Sequence, residues 1–424
     1  MTHQRIMKNG LRVVMEEMPA YRSISIGIWV KVGSMYENKL NNGMAHVIEH
    51  MMFKGTSRRT AADIANEMTA IGGNMDAFTC KDCTCYYAKT LDIYGKQALD
   101  ILGDMLCNSL FDAKELKKEL GVILEEIDMY EDSPEDLVHE HLQKEVWKGH
   151  PLGYLISGEK AQVAGFSRER VLEFFRKYYC AENMVISVAG HFDTEQMYEW
   201  LCSYFEAIPE GERSDPGKAP VYTPVLWTRE KDIEQNHLCL AFNCCTVLSE
   251  ERYVMTVANN ILGGNMNSRL FMKIRDELGL TYSIYSYGSS YEQAGLFQIY
   301  AAMQPSQTEQ VLEAIFNENK RMICDGVSGD ELRIALQQIK AELILGYESS
   351  YNRMSGLGKS LLIRDRVVSL EEDLENISRV SREDVRDFFE AYLQREGCGI
   401  ALVGNRGAIC LLYTSDAADD RISV

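Results

Sequence analysis

Apolar residues recur along this chain with two spacings, and the elements that these spacings predict come in the same order twice. Continuous apolar runs predict buried strands, and segments with an apolar residue at every third or fourth position predict amphipathic helices. The predicted strands lie at Ile24–Val30, 85–88, Leu238–Phe242 and 297–301, and the helices that follow them lie at 97–106 and 311–322.

The repeated order indicates an internal duplication. A predicted helix ends at Gly55 in the first half and at Gly264 in the second. Later in each half, a long helix opens with an N-cap residue and a glutamate three positions on: Asp112 with Glu115, and Ser328 with Glu331. We therefore predict an α+β fold of two homologous halves, each a mostly antiparallel sheet with helices packed on one face.

A proline-rich segment separates the halves. Half of the 8 prolines lie between Ile208 and Pro224, among glycine and polar residues, which is typical of an extended linker. The predicted domains are 1–207, a linker at 208–224, and 225–409.

The first half contains the most specific chemical signal, His46-Val-Ile-Glu49-His50. Side chains four apart share one face of a helix, so the two imidazoles could bind one metal ion. Glu49 lies on nearly the same face, where it could take a proton from a water molecule that zinc acidifies. This is the inverted zinc-peptidase motif H-x-x-E-H. The alternative is two surface histidines beside a solvated glutamate.

A catalytic zinc ion needs a third protein ligand. The helix after Asp112 offers Glu115, Glu119 and Glu126 close to one face. A solvated acidic helix is the usual reading of such a run, but this helix also has an apolar stripe, at Leu116, Leu120, Ile123 and Ile127. This helix therefore packs against another element, and the histidine helix is a candidate for that neighbour.

The duplication offers an internal test of these residues. Aligning Gly55 with Gly264 places Met255, Ala258 and Asn259 opposite the three motif residues, so we expect only the first half to bind metal. Glu342 matches Glu126, which shows that an acid at that helix position need not be a ligand.

The segment Gly43–Thr56 resembles the zinc helix of the pitrilysin/insulinase metallopeptidases, in particular the branch similar to the β-subunit of the mitochondrial processing peptidase. Further matching segments extend the resemblance over nearly the whole chain: Asn9–Val13, Asp76–Thr79, His150–Gly153 and Gly263–Phe271. The resemblance implies one zinc ion per chain, with Glu126 as the third ligand after His46 and His50. The neighbouring Glu125 occupies a position that varies in the family.

Other roles are implied only by this resemblance. Glu119 would support the zinc site without binding the metal itself. Arg275 and Tyr282 of the second half would complete the active site. The stretch Asp76-Ala77-Phe78-Thr79 resembles the edge strand that binds substrate in the family. Asp76 stands where relatives commonly have asparagine, and its carboxylate could favour a basic substrate residue.

The 12 cysteines, in a chain that begins without a secretory signal, favour a reducing compartment and a cytoplasmic location. Cys80-Lys-Asp82-Cys83-Thr-Cys85 could suggest a soft-metal site. The alternation of residues instead favours a continuous strand in which Cys83 and Cys85 share a face and Cys80 points the other way.

The net charge of −19 argues against nucleic-acid binding, and no apolar run is long enough to cross a membrane. The resulting prediction is a zinc-dependent endopeptidase that holds extended or unfolded peptides in a closed chamber, and the resemblance implies a homodimer. A noncatalytic peptide-binding subunit of a processing-peptidase-like complex is the alternative. A structural zinc protein is disfavoured because structural sites have four ligands.

The chain's last residues fit none of these patterns. Cys410–Asp419 match the conceptual translation of a transposase-type sequencing adapter, so 410–424 is interpreted as an assembly artefact.

Overall fold

The computed structural model of the protein describes residues 2–405; the segment 410–424, interpreted above as adapter-derived, lies outside them. The described chain forms two compact units. The first contains residues up to 128, 154–217 and 343–370, and the second contains 129–153, 218–342 and those from 371 onward. The chain passes from one unit to the other within the predicted linker, after Gly217, and also at four points outside it.

The strands are β1 (Thr2–Ile6), β2 (Arg12–Glu17), β3 (Ser23–Val30), β4 (Asn74–Thr79), β5 (Thr84–Leu91), β6 (Met184–Gly190), β7 (Leu226–Glu230), β8 (Asn236–Cys244), β9 (Ser283–Ser290), β10 (Gly295–Met303) and β11 (Gly399–Gly404). The helices are α1 (Met44–Met52), α2 (Ala61–Ala70), α3 (Gly95–Asn108), α4 (Ala113–Asp132), α5 (Pro134–Val146), α6 (Lys160–Val163), α7 (Arg168–Tyr178), α8 (Thr194–Phe205), α9 (Glu251–Leu262), α10 (Thr308–Cys324), α11 (Gly329–Gly346), α12 (Ser350–Arg364), α13 (Leu370–Arg379) and α14 (Arg382–Tyr392).

The first unit is built on a six-stranded sheet of order β1-β2-β6-β3-β5-β4. Only β2 and β6 pair in parallel; the other neighbours are antiparallel. On one face, the alternate residues of β3 are buried in a core with residues of α1 and α3. On the other face α12 approaches closely, because glycines leave room for it: a Cβ on Gly27 would lie 2.2 Å from Met354 Sδ.

The second unit repeats this plan with a five-stranded sheet of order β7-β11-β8-β10-β9, in which β7 and β11 are parallel. Phe297 of β10 packs against Phe388 of α14, with ring centroids 6.1 Å apart. The opposite face is covered by α5, where Gln143 Nε2 donates to Gln298 Oε1 at 3.2 Å.

The predicted α+β fold with two homologous halves is confirmed: β3 corresponds to β8, β5 to β10 and α3 to α10. Each sheet has the predicted helical layer on one face. The sequence analysis did not find that the second face is also covered, by α12 in the first unit and by α5 in the second. An apolar stripe shows that a helix face is buried but not which sheet buries it. Within 2–405, no helix is long and apolar enough to cross a membrane.

Candidate functional site

Helix α1 carries His46, Glu49 and His50, and its start is held by a buried carboxylate. Glu37 accepts hydrogen bonds from the backbone N–H groups of Gly43 and Ala45, each at 2.7 Å. Gly43 has a φ of 96°, and a Cβ there would lie 2.8 Å from the Ser157 carbonyl oxygen. Both features fix where the helix begins and therefore where its side chains point.

The capping role of Glu37 was missed by the sequence analysis. The residue is buried, and burial raises the pKa of its carboxyl to about 7, against the opposing effect of its hydrogen bonds. It precedes the helix by several residues, outside the spacing of a capping box, so no short motif identifies it.

His46, His50 and Glu126 come together in the first unit. The Nε2 atoms of the two histidines are 3.2 Å apart. Glu126 Oε1 lies 3.7 Å from Nε2 of His46, and its Oε2 lies 3.5 Å from Nε2 of His50.

This donor set fits zinc. Donor atoms about 2.0–2.2 Å from a tetrahedral zinc ion are themselves ~3.4 Å apart, close to the three distances found here. Two imidazole nitrogens and one carboxylate oxygen are also a ligand set that zinc accepts, with a fourth position open. Of the adjacent acids on α4, it is Glu126 that lies beside the histidines; Glu125 is exposed.

Glu119, another glutamate of α4, orients His50. Its Oε1 lies 2.9 Å from Nδ1 of His50, and its Oε2 is 2.6 Å from Nζ of Lys54. A carboxylate at Nδ1 leaves Nε2 as the metal-binding nitrogen. Glu115, one turn before Glu119, instead pairs with Lys118 on the surface.

The pKa values of the two histidines are shifted in opposite directions. Burial and the charge of His50 lower the pKa of His46 to about 4, so this ring is neutral at pH 7. Burial also acts to lower the pKa of His50, but hydrogen bonds with Glu126 and Glu119 outweigh it and raise the pKa. Within the described chain, Nδ1 of His46 is buried without a hydrogen-bond partner, so packing and the contacts of Nε2 orient that ring.

Glu49 faces strand β4. Thr79 Oγ1, at the end of this strand, donates a hydrogen bond of 2.5 Å to Glu49 Oε2. Burial raises the pKa of Glu49, and the hydrogen bond from Thr79 partly opposes this. A carboxylate whose pKa is raised towards neutrality is better suited to accept and return protons.

The predicted substrate strand Asp76–Thr79 forms most of β4, the outermost strand of its sheet. Among residues 2–405, β4 pairs only with β5, with Ala77 opposite Tyr86. Asp76 is exposed, and its Oδ1 accepts a hydrogen bond from the backbone N–H of Ala77 at 2.9 Å. Backbone groups on the free edge of the strand could therefore pair with an added peptide strand.

Arg275 and Tyr282 belong to the second unit and lie side by side. The guanidinium carbon of Arg275 is 4.4 Å from the ring centroid of Tyr282 and 4.5 Å from that of Phe271. Tyr282 precedes β9 directly and is 76% exposed. The pair thus presents a cation and a phenol on the surface of this unit.

The prediction for residues 80–85 was wrong in its local structure. The chain does not continue as one strand: it turns between Thr79 of β4 and Thr84 of β5, with Cys80 N donating to Cys83 O at 2.7 Å. Cys80 and Cys83 therefore face each other across the turn. Their Sγ atoms and a carboxylate oxygen of Asp82 all lie within 4.8 Å of one another.

Comparison with known proteins places this chain among peptidases. Residues 12–160 match the family described as insulinase (peptidase family M16), and 165–339 match the peptidase M16 inactive domain. An uncharacterized zinc protease of Bacillus subtilis (strain 168) is 41% identical over 403 residues, which cover 94% of this chain and 97% of that protein. One from Streptomyces coelicolor is 36% identical over 391 residues, covering 90% and 84%.

Solved structures share the fold at lower identity. The crystal structure of a peptidase M16 inactive domain from Pseudomonas fluorescens has a TM-score of 0.90 at 19% identity, covering 96% of this chain and 99% of that one. A chain of complex III2 from Candida albicans has a TM-score of 0.84 at 19% identity, covering 95% of both chains. Together, the sequence matches over nearly the full length and the arrangement of the site show that this chain belongs to the insulinase (M16) peptidase family.

Proposed function

We propose that this protein is a zinc-dependent endopeptidase that cleaves extended or unfolded peptides, with one catalytic zinc ion held by His46, His50 and Glu126. The observation that carries the proposal is the convergence of two imidazole nitrogens and a carboxylate at zinc-binding distances beside Glu49. The names of the two relatives, both zinc proteases, agree with it.

When bound, zinc would supply a Lewis acid that acidifies water and polarises a peptide carbonyl. Glu49 is the proposed general base. Thr79 donates to its Oε2 and fixes the orientation of the carboxylate, so Oε1 is the atom proposed to accept the proton. The same carboxyl group would then return the proton to the leaving amine.

The substrate is proposed to bind as a strand added to the free edge of β4. Such pairing uses backbone groups and depends little on the peptide's sequence, which suits a peptidase with extended substrates. The exposed carboxylate of Asp76 would favour a lysine or arginine at the adjacent substrate position.

Arg275 and Tyr282 are proposed to act on the substrate from the second half of a partner chain in a homodimer, closing the chamber. The phenol of Tyr282 would donate a hydrogen bond to the oxyanion that develops on the carbonyl. The guanidinium of Arg275 would bind substrate carbonyl groups through its fork of donors.

Glu49→Gln tests the general base. The substitution keeps the ligands and removes the proton acceptor, so we expect zinc to stay bound while peptide hydrolysis falls by roughly 10²–10⁴-fold. Zinc content and turnover of a peptide mixture would be measured on the purified variant, with Glu125→Gln as the control that should change neither. Near-normal turnover of Glu49→Gln with bound zinc would contradict the proposed role.

Mixing two damaged chains tests the homodimer. Glu49→Gln and Tyr282→Phe chains, each nearly inactive, would be combined under conditions that allow subunit exchange. If each active site takes residues from both chains, a mixed dimer has one intact site, and activity should return to at most about a quarter of normal. Exchange that is verified by mass spectrometry but restores no activity would exclude the shared site and leave the zinc-peptidase proposal standing.

The second candidate is a noncatalytic peptide-binding subunit. It is favoured by the match of 165–339 to a domain described as inactive. The complete set of His46, Glu49, His50 and Glu126 favours the enzyme instead. Zinc-loaded protein that binds peptides from a diverse mixture but cleaves none of them would favour the subunit.

A further inference from the structure

The turn between β4 and β5 carries a second group of metal-ligand side chains, distinct from those on α1 and α4. Cys80, Asp82 and Cys83 each offer one donor atom, and the three atoms lie within 4.8 Å of one another. A C-x-x-C pair across a tight turn is a spacing that zinc sites commonly use. The proposed peptidase chemistry uses none of these three residues.

The carboxylate in this group is buried and incompletely satisfied. Asp82 is only 3% exposed, and its Oδ1 is buried without a hydrogen-bond partner in the part of the chain that the structure describes. An unpaired buried carboxylate oxygen is costly, and native proteins rarely tolerate one. Cys83 beside it is fully buried. A cation at the point where the three donors converge would stabilise this buried carboxylate.

The backbone of the turn is held in place before any ligand binds. Cys80 N donates to Cys83 O at 2.7 Å, and Met35 N donates to Lys81 O at 2.9 Å. The turn also lies directly on Gly33, where a Cβ would be 2.1 Å from the carbonyl oxygen of Cys80. Preorganised donors lose little entropy on binding a metal ion.

Two lysines near the turn have different roles. Lys81 is directed away from the group, because its Nζ donates to the carbonyl oxygen of Tyr154 at 2.8 Å. Lys359 of α12 lies near the group, and the charge of Asp82 is the largest influence that raises its pKa. Two thiolates and a carboxylate around a divalent cation leave a net charge of about −1, which Lys359 can balance.

We infer that Cys80, Asp82 and Cys83 form a second metal site, for a thiophilic divalent cation such as Zn²⁺, with a fourth position left for water or a small ligand. Sulfur donors select zinc-like ions over Mg²⁺ and Ca²⁺. A metal ion here would lock the turn that follows Thr79, the residue that holds Glu49. The site thus goes beyond the proposed function and does not depend on it.

Cobalt substitution tests this site without reference to activity. The metal-free, reduced full-length protein would be titrated with Co²⁺ alone. Thiolate ligation produces an intense sulfur-to-cobalt charge-transfer band in the near ultraviolet, which a site of two histidines and a glutamate lacks. We expect two Co²⁺ per chain with this band, and one Co²⁺ with the band retained in His50→Ala.

Three variants and a control complete the test. Cys80→Ser, Cys83→Ser and Asp82→Asn should each reduce the count towards one, and the band should weaken in proportion to the Co²⁺ lost from this site. Cys107→Ser, at an exposed cysteine, should change neither. Because Cys83 is fully buried and its variant could fail to fold, Cys80→Ser and Asp82→Asn keep the test decisive. A single Co²⁺ without the band in reduced wild type, or a Cys80–Cys83 disulfide that persists under reduction, would overturn the inference.

Discussion

Helices α1 and α9 occupy the same position in the two units and show what the fold itself requires there. Each packs against the outermost strand of its sheet, α1 against β4 and α9 against β9. In α9 the residues that match the motif of α1 are Met255, Ala258 and Asn259.

These three matching residues of α9 are neutral and are held by contacts within the second unit. The sulfur of Met255 packs 3.6 Å from Cys244 Sγ, against β9 where Gly288 leaves space for it. Asn259 Oδ1 accepts a hydrogen bond from Ser286 Oγ at 2.7 Å. In α1, by contrast, the pKa of His46 is lowered to about 4 and that of Glu49 is raised, both mainly by burial.

The long helices α4 and α11 repeat the contrast. Glu126 of α4 lies among the histidines, whereas its counterpart on α11, Glu342, is exposed. Glu119 of α4 is a buried acid, and its counterpart is the buried Ala335. The second unit thus forms the shared fold without a buried titratable residue at any of these positions. The packing of the shared fold therefore does not require the buried titratable groups of the first unit.

The largest expected difference between the units is in the effect of replacing the matching glutamates, Glu126 and Glu342, by glutamine. Glu126→Gln should lower zinc affinity and peptidase activity by more than ~100-fold. This loss exceeds the ~10–100-fold loss that is typical when a residue that hydrogen-bonds a metal ligand is mutated. Glu342→Gln, at the matching position of the second unit, should change neither. Metal analysis and turnover would be measured for both variants and for Glu125→Gln. Loss of zinc in Glu125→Gln with retention in Glu126→Gln would reverse the ligand assignment.

Glu119→Ala gives the first unit the residue that the second unit has at that position. The substitution removes the partner of His50 Nδ1 while leaving all three ligands, so zinc affinity should fall by ~10–100-fold. Competition with a chelator of known affinity measures this, and Lys54→Met is a control that removes only the outer partner of Glu119. Unchanged affinity would mean that packing alone orients His50.

The smallest expected effect concerns the two helix starts. At α11 the capping box is complete: Glu331 N donates to Ser328 Oγ at 3.1 Å, and Ser328 N donates to Glu331 Oε2 at 2.8 Å. At α4, Asp112 Oδ1 accepts a hydrogen bond from Glu115 N, but the side chain of Glu115 accepts one from Lys118 and does not complete a capping box. Burial acts to raise the pKa of Glu331, but hydrogen bonds from Arg269 and Ser328 outweigh it and hold the pKa at about 2.

Because this pKa lies below the unfolded value of about 4.3, Glu331 stabilises the fold above that pH, and the stabilisation is lost as the pH falls towards 2. Glu331→Gln should therefore lower the free energy of unfolding by ~0.5–1 kcal/mol at pH 7, and the difference should shrink in acid. Denaturant unfolding at several pH values measures it. Glu115→Gln should have a smaller effect, and a difference for Glu331→Gln that grows in acid would contradict the assignment.

Local spacing was enough to predict several features of this protein. The four-residue interval between His46 and His50 places both imidazoles on one helix face wherever that helix packs. The repeated order of apolar runs predicted the two related sheets for the same reason, since strand and helix periodicity are properties of the adjacent residues themselves. The resemblance to a known family, and not the spacing, selected Glu126 over Glu125.

Tertiary structure decided what depends on contacts between distant parts of the chain. No sequence pattern predicted that α12 covers the first sheet, and nothing near residue 49 indicates that Thr79 would donate a hydrogen bond to Glu49. The capping of α1 by Glu37 and the turn that brings Cys80 to Cys83 likewise required the folded backbone. The sequence alone determined which groups are available and which face of each element they share. Burial, pKa and the meeting of ligands depend on distances across the folded chain, which no local pattern encodes.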